Sequence, residues 1–264
     1  MEDDQLFDLR NYVDQALLDE YKAFQPEALR FWGNPKNETS YMGLDRTTAR
    51  AIDSGFKGER GPIAVYESWA AIQLLRVTES PTLVKSLSTQ EGFEAWHRGL
   101  TESLVAHWRE KIDEHNALLL KVEGDEFFPV NRELNVAHRY KLVDLFVRYL
   151  RVKADKHPEL AQHCYEFGHI PLDRRSLAVI SAAFSGIGVG DNFRMGDIVS
   201  ETMYRTYQRL ARVIVALAGG TPLLLDVFAL ESKVAKQLHA KKAAVQTRKS
   251  IKRQRNKQKQ QQAA

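Results

Sequence analysis

The sequence predicts an all-α protein, a multi-helix orthogonal bundle followed by a basic, disordered C-terminal tail. Three observations carry that expectation. Apolar residues recur at spacings of three and four through most of the chain, the period of a helix face. Ser-Pro and Thr-Pro pairs and a glycine doublet mark where helices start and stop. No stretch alternates apolar and polar residues between hairpin turns, and no repeat of solenoid length occurs.

The first helix is expected over residues 3–25, with Leu6, Leu9, Val13, Leu17, Tyr21 and Phe24 on one face. Pro26 is expected to open a short second helix through Phe31 and Trp32, which Gly33-Asn34-Pro35 stops. Residues 33–62 are the least regular part, with a short helix from Asp45 to Ile52 inside them. A loop of that length is either a binding loop or irregular surface. Pro62 opens a helix through Tyr66, Trp69, Ile72 and Leu75, and Ser80-Pro81 starts a short one ending at Leu87. Ser88 or Thr89 then caps a long helix bearing Phe93, Trp96, Leu100, Leu104, Trp108 and Ile112.

After a loop over 123–129 comes a helix over 134–150, whose inner face reads Leu134, Ala137, Leu142, Leu145, Phe146 and Tyr149. A His-rich connector, residues 157–169, precedes a helix over 173–184 and a turn at Gly186, Gly188 and Gly190. A long helix over 197–217 ends at Gly219-Gly220, and Thr221-Pro222 starts the last one. Residues 1–240 thus read as one domain, with a soft division near 121–131, and 241–264 as its tail.

Charge is divided along the chain. From Lys233 onward there are eleven Lys or Arg and no acid, leaving 27 bases against 34 acids before it, a net −7. The pI near 9 therefore belongs to a basic arm and not to the body. No apolar run approaches the roughly 18 residues of a membrane-spanning helix. The N-terminus, Met1-Glu2-Asp3-Asp4, is acidic where a signal peptide is basic, and Cys164 is alone. A reducing, cytoplasmic setting is expected, with no membrane association.

Two patterns have the residue types for chemistry. His157, His163, Cys164 and His169 are four potential zinc ligands in thirteen residues, but no CxxC or HxxxH pair anchors them, so a surface connector is the expectation and no metal is assigned. The spacing of Arg and His used by small helical ribonucleases occurs at Arg132 to His138 and at Arg151 to His157. A chain with this many arginines and histidines produces such pairs by chance. No phosphate loop, dinucleotide fingerprint, nucleophile elbow or HExxH motif is present, and no cofactor is implied.

The third candidate is Lys141 with Asp173. A lysine in apolar surroundings can act as an amine nucleophile, and an Asp at a helix start can stabilise a developing cation. Lys141-Leu142-Val143-Asp144 and then Ile170-Pro171-Leu172-Asp173 resemble the lysine-bearing helix and the Val-Pro-Val-Asp-type segment of divergent helix-hairpin-helix DNA glycosylases, the 8-oxoguanine-glycosylase-like group. The resemblance covers about residues 131–231. The glycine-rich hairpin of that group is replaced here by Leu134 to Tyr140, and the segment between Lys141 and Asp173 is longer. It implies Asp173 as catalytic carboxylate and Lys141 as Schiff-base amine in N-glycosyl bond hydrolysis on a flipped base, with Phe127, Phe128 or Trp32 stacking on that base. The plain alternative is that Asp173 caps a helix and Lys141 lies along the core edge.

The tail supplies Lys241, Lys242, Arg248, Lys249, Lys252, Arg253, Arg255, Lys257 and Lys259, an arm suited to phosphate. Two function classes follow. One is a nucleic-acid enzyme of glycosylase or lyase type, on DNA in preference to RNA. The other is a non-catalytic helical adaptor of phage-defence or mobile-element type, held to nucleic acid or a protein partner by the arm. A helical ribonuclease is a third.

Overall fold

The computed structural model describes residues 8–32, 41–44, 46–52, 61–123, 129, 133–153, 157–187 and 193–232. Among them every regular element is helical and none is a strand, as the apolar spacing requires. In chain order they are α1 (Gln15–Trp32), α2 (Arg46–Ala51), α3 (Pro62–Thr78), α4 (Pro81–Ser86), α5 (Gln90–Glu123), α6 (Val136–Lys153), α7 (Pro158–Phe167), α8 (Arg174–Ala183), α9 (Glu201–Ala218) and α10 (Pro222–Glu231). The basic tail, Phe127, Phe128 and Arg132 lie outside the described residues.

Side-chain caps set most of the starts. Ser80 accepts from the Leu83 amide, Thr89 from Gly92, Asn135 from His138, Ser200 from Met203 and Thr221 from Leu224. Each satisfies an amide that the first turn leaves unbonded and contributes about 1 kcal/mol. Gly219, at φ 70°, closes α9 in the left-handed conformation expected of its glycine.

Three expectations need correction. The N-terminal stretch is not one helix: Asp8 caps a 3-10 turn over Leu9–Tyr12, Val13 is extended, and Asp14 accepts from the Leu17 amide at 2.8 Å to start α1. That helix then runs through Pro26 instead of restarting there. A proline inside a helix removes one donor, but Leu17, Leu18 and Tyr21 form a buried face of α1, and the Tyr21 hydroxyl donates to Thr221 O at 3.0 Å. Second, the His-rich connector is mostly helix. Pro158 stands in the first turn of α7, and Leu160, Ala161 and Cys164 form its buried face. Third, α9 begins at Glu201, because Ser200 is its cap and Met195–Asp197 is a separate 3-10 turn.

Two apolar clusters meet on α6. One joins α3, α4, α5 and α7 around Trp69, Phe93, Trp108 and Phe146. The other joins α1, α8, α9 and α10 around Tyr21, Phe184, Ile214 and Phe228. Ala137 and Tyr140 belong to the second cluster and Leu142 to Leu150 to the first, so α6 is shared between them. Gly43, at φ 97°, brings the Tyr41–Gly43 turn against α6 so closely that a Cβ there would strike Leu145 O. The Tyr66 hydroxyl donates to Met42 O at 2.9 Å and fixes that turn.

Candidate functional site

Polar side chains are concentrated where α5, α6 and α9 come together. Asp144 on α6 is fully buried within an otherwise apolar stretch, Leu142 to Val147. One of its oxygens, Oδ1, receives the Tyr204 hydroxyl at 2.8 Å and lies 2.8 Å from His97 Nε2. The Tyr204 oxygen in turn lies 2.7 Å from Nδ1 of His169. His169 Nε2 lies 2.9 Å from Glu94 Oε1 and 2.8 Å from an Arg212 Nη2 that also binds Glu94. Six side chains thus form one connected path from a buried carboxylate to the surface.

Local structure fixes each member. His169 follows α7, on a segment held by Gln208, whose Oε1 accepts from Ile170 N at 3.1 Å and whose Nε2 donates to Ile170 O at 2.8 Å. That clamp satisfies a buried backbone pair in an irregular stretch and sets the imidazole against α9. Tyr204 stacks on Tyr140, with ring centroids 3.9 Å apart, and His97 and His169 lie with centroids 4.2 Å apart.

Burial, and then the charge of His97, push the His169 imidazole down to about 3, against the pull of Glu94. Burial opposes ionisation of Glu94, yet the hydrogen bonds and charges of His169 and Arg212 overcome it and hold this carboxyl well below the usual range. Burial pushes the Asp144 carboxyl up, against its bonds from His97 and Tyr204. Its other oxygen, Oδ2, has no hydrogen-bond partner.

The path opens into a cleft made of two adjoining hollows of about 430 and about 220 Å³, which share Arg98 and Tyr140. Arg109 and Arg139 line the larger, with Glu102 and Glu201. Arg205, Arg209 and Arg212 line the smaller, with His97, His169 and Glu94. Six guanidinium groups face three carboxylates of the lining, so the cleft carries positive charge in a body whose sequence is acidic overall. Some arginines are engaged: Arg109 holds Glu133 through two bonds, and Arg205 holds Glu201. Arg209 makes no ion pair among the described residues.

The residues singled out from sequence lie elsewhere. Asp173 is the N-cap of α8: Oδ1 accepts from Arg175 N at 2.6 Å and Ser176 N at 3.1 Å, and Ser176 completes a capping box. Its Oδ2 lies 3.8 Å from Arg175 Nε. Lys141 is half-buried on α6. Neither lines the cleft. Trp32 ends α1, and its side chain lies outside the described residues. Of the His-rich set, His169 alone joins the network, while Cys164 is buried in the core. His138 is buried with Nε2 unpartnered, and Arg151 lies over the Tyr165 ring. The residues that sequence reasoning missed are Glu94, His97, Asp144, Tyr204 and Arg212. A signal for the site did exist: Asp144 and Gln208 interrupt helix faces that are otherwise apolar.

No family model, curated protein or solved structure matches this chain. Among the described residues no single helix is long and apolar enough to cross a membrane.

Proposed function

We propose that the protein associates with nucleic acid and receives a single strand, or a nucleotide displaced from a duplex, in the cleft between α5, α6 and α9. The observation that carries this reading is the set of six arginines on three helices around two adjoining hollows that share Arg98 and Tyr140. Guanidinium forks match phosphate oxygens two at a time. A volume of about 430 Å³ lies in the range of small-molecule sites and accommodates a nucleobase. The eleven basic residues beyond Glu231 supply a second, unspecific attraction for the same polymer. DNA is the first strand to test, with RNA of the same sequence as comparison.

The test is fluorescence anisotropy of a labelled single strand with the full chain, titrated over a range of salt. Charge reversal at Arg98 and Arg209 should lower affinity. If each touches one phosphate, the pair should also flatten the log–log salt slope by about 1.4. Unchanged affinity and slope in the double variant would remove the cleft from the reading and leave binding to the tail.

A base-excising reaction at Asp173 and Lys141 is the second reading. It rests on the resemblance of the Lys141 and Asp173 segments to the 8-oxoguanine-glycosylase-like group, while in the structure Asp173 caps α8 and neither residue lines the cleft. It expects Asp173→Asn to abolish base release from damaged duplex DNA, and borohydride to trap an adduct that Lys141→Ala loses. Release that survives Asp173→Asn ends it.

A further inference from the structure

We propose that His97, Asp144 and His169 form a binding site for one divalent first-row transition ion, with zinc the natural occupant to test. One ligand atom from each lies within 4.8 Å of the others, and all three residues are buried. Asp144 Oδ1 is 2.8 Å from His97 Nε2 and 3.9 Å from His169 Nδ1. Ligand atoms bonded at about 2.1 Å to a tetrahedral ion stand about 3.4 Å apart, between those two separations. Two imidazoles and a carboxylate suit zinc, iron(II) or cobalt(II) and not the oxygen-seeking magnesium or calcium. Three protein ligands with a side open to a cleft are the arrangement of a reactive ion; a purely structural zinc is closed by four.

Two further observations call for a cation here. First, Asp144 Oδ2 is buried without a partner. An ion held by both carboxylate oxygens gives it one. Second, His169 is placed as a ligating imidazole is held: its Nε2 lies 2.9 Å from Glu94 Oε1, so that with an ion at Nδ1 the proton on Nε2 donates to Glu94. That is the carboxylate–histidine–metal relay that orients ligands in metal sites. Glu94 thereby becomes a positioning residue, and Arg212 holds it in place.

The inference stands apart from the nucleic-acid reading, because binding is measured with the ion alone. Full-length protein is stripped with chelator, desalted and titrated with zinc by calorimetry, then loaded with cobalt(II) for visible spectroscopy. The expected result is one equivalent of zinc, lost in His97→Ala and kept when His157 and His163 are both replaced by alanine. Cobalt should show the intense absorption of four- or five-coordination. Glu94→Gln, which leaves all three ligands, should weaken zinc about 10- to 100-fold. Should His97→Ala fail to fold, the cobalt spectrum and Glu94→Gln decide. Absence of a stoichiometric site, a weak six-coordinate cobalt spectrum, or zinc affinity indifferent to Glu94→Gln would each overturn the proposal. Failure of oligonucleotide binding by the zinc-loaded protein, with zinc uptake intact, would overturn the nucleic-acid reading alone.

Discussion

Arg148 on α6 and Asp226 on α10 meet at 2.7 Å, Nη1 to Oδ2, with only 15% and 7% of their side chains exposed. The pair ties the helix shared by both apolar clusters to the last described helix. Asp226 interrupts the apolar run from Leu223 to Ala229, and burial pushes its carboxyl up against the pull of Arg148. Removing either partner leaves a buried charge alone, so Arg148→Ala or Asp226→Ala should each cost about 3–5 kcal/mol in urea unfolding. The double replacement Arg148→Met with Asp226→Leu should recover most of that, since it removes both desolvation penalties. A double variant as unstable as the singles would show that the pair contributes more than its own burial costs.

The Tyr204 hydroxyl connects Asp144 to His169, while its ring stacks on Tyr140. Tyr204→Phe keeps the ring and deletes only the connection. It leaves His169 Nδ1 without its neighbour and Asp144 with His97 alone, a loss of about 1–3 kcal/mol for buried groups left unsatisfied. The measurement is the shift in urea midpoint at unchanged slope. A shift within error would mean that water takes over the vacated position.

Helix existence was legible in the sequence because each signal is local. Ser80, Thr89 and Thr221 cap helices from within three residues, and Gly219 ends one by its own φ. Where local signals conflicted, tertiary packing decided. Pro26 argued for a break, but the buried Tyr21 side of α1 keeps the helix continuous. Pro158 and the apolar spacing of Leu160, Ala161 and Cys164 did mark a helix, yet the histidines around them pointed to a connector. The cleft network was not legible, because its members come from four segments: Glu94 and Arg212 are 118 residues apart. Only the fold brings them together, and no spacing rule spans such separations. Asp173 shows the reverse case, a residue whose local signal as a helix cap is fulfilled by the fold.

That cap gives a graded prediction. Asp173→Ala removes the acceptor for two amides of α8 and should cost about 1 kcal/mol, whereas Asp173→Ser or Asp173→Asn should retain most of it. Ser176→Ala should cost a comparable amount, since its hydroxyl accepts from Asp173 N and donates to Pro171 O. Thermal midpoints of the four variants give the order. Equal losses in alanine and asparagine variants would mean that charge, and not hydrogen bonding to the helix start, is what Asp173 supplies.

Cys164 reports on the opening of the first apolar cluster. It is fully buried on α7, and burial drives its thiol far above the ordinary range, with Arg151 opposing only in part. The thiolate is the reactive species, so a disulfide reagent such as DTNB must wait for the fold to open around it. Labelling in native buffer should be slow and should accelerate with urea. When opening is a rapid pre-equilibrium, each loss of about 1.4 kcal/mol speeds labelling about tenfold. Arg148→Ala should then accelerate it by about two to four powers of ten if α7 opens only with the whole fold. Acceleration well below that would show α7 peeling away separately from the Arg148–Asp226 contact. Fast labelling of the unaltered protein in native buffer would mean that Cys164 is reached without the core opening.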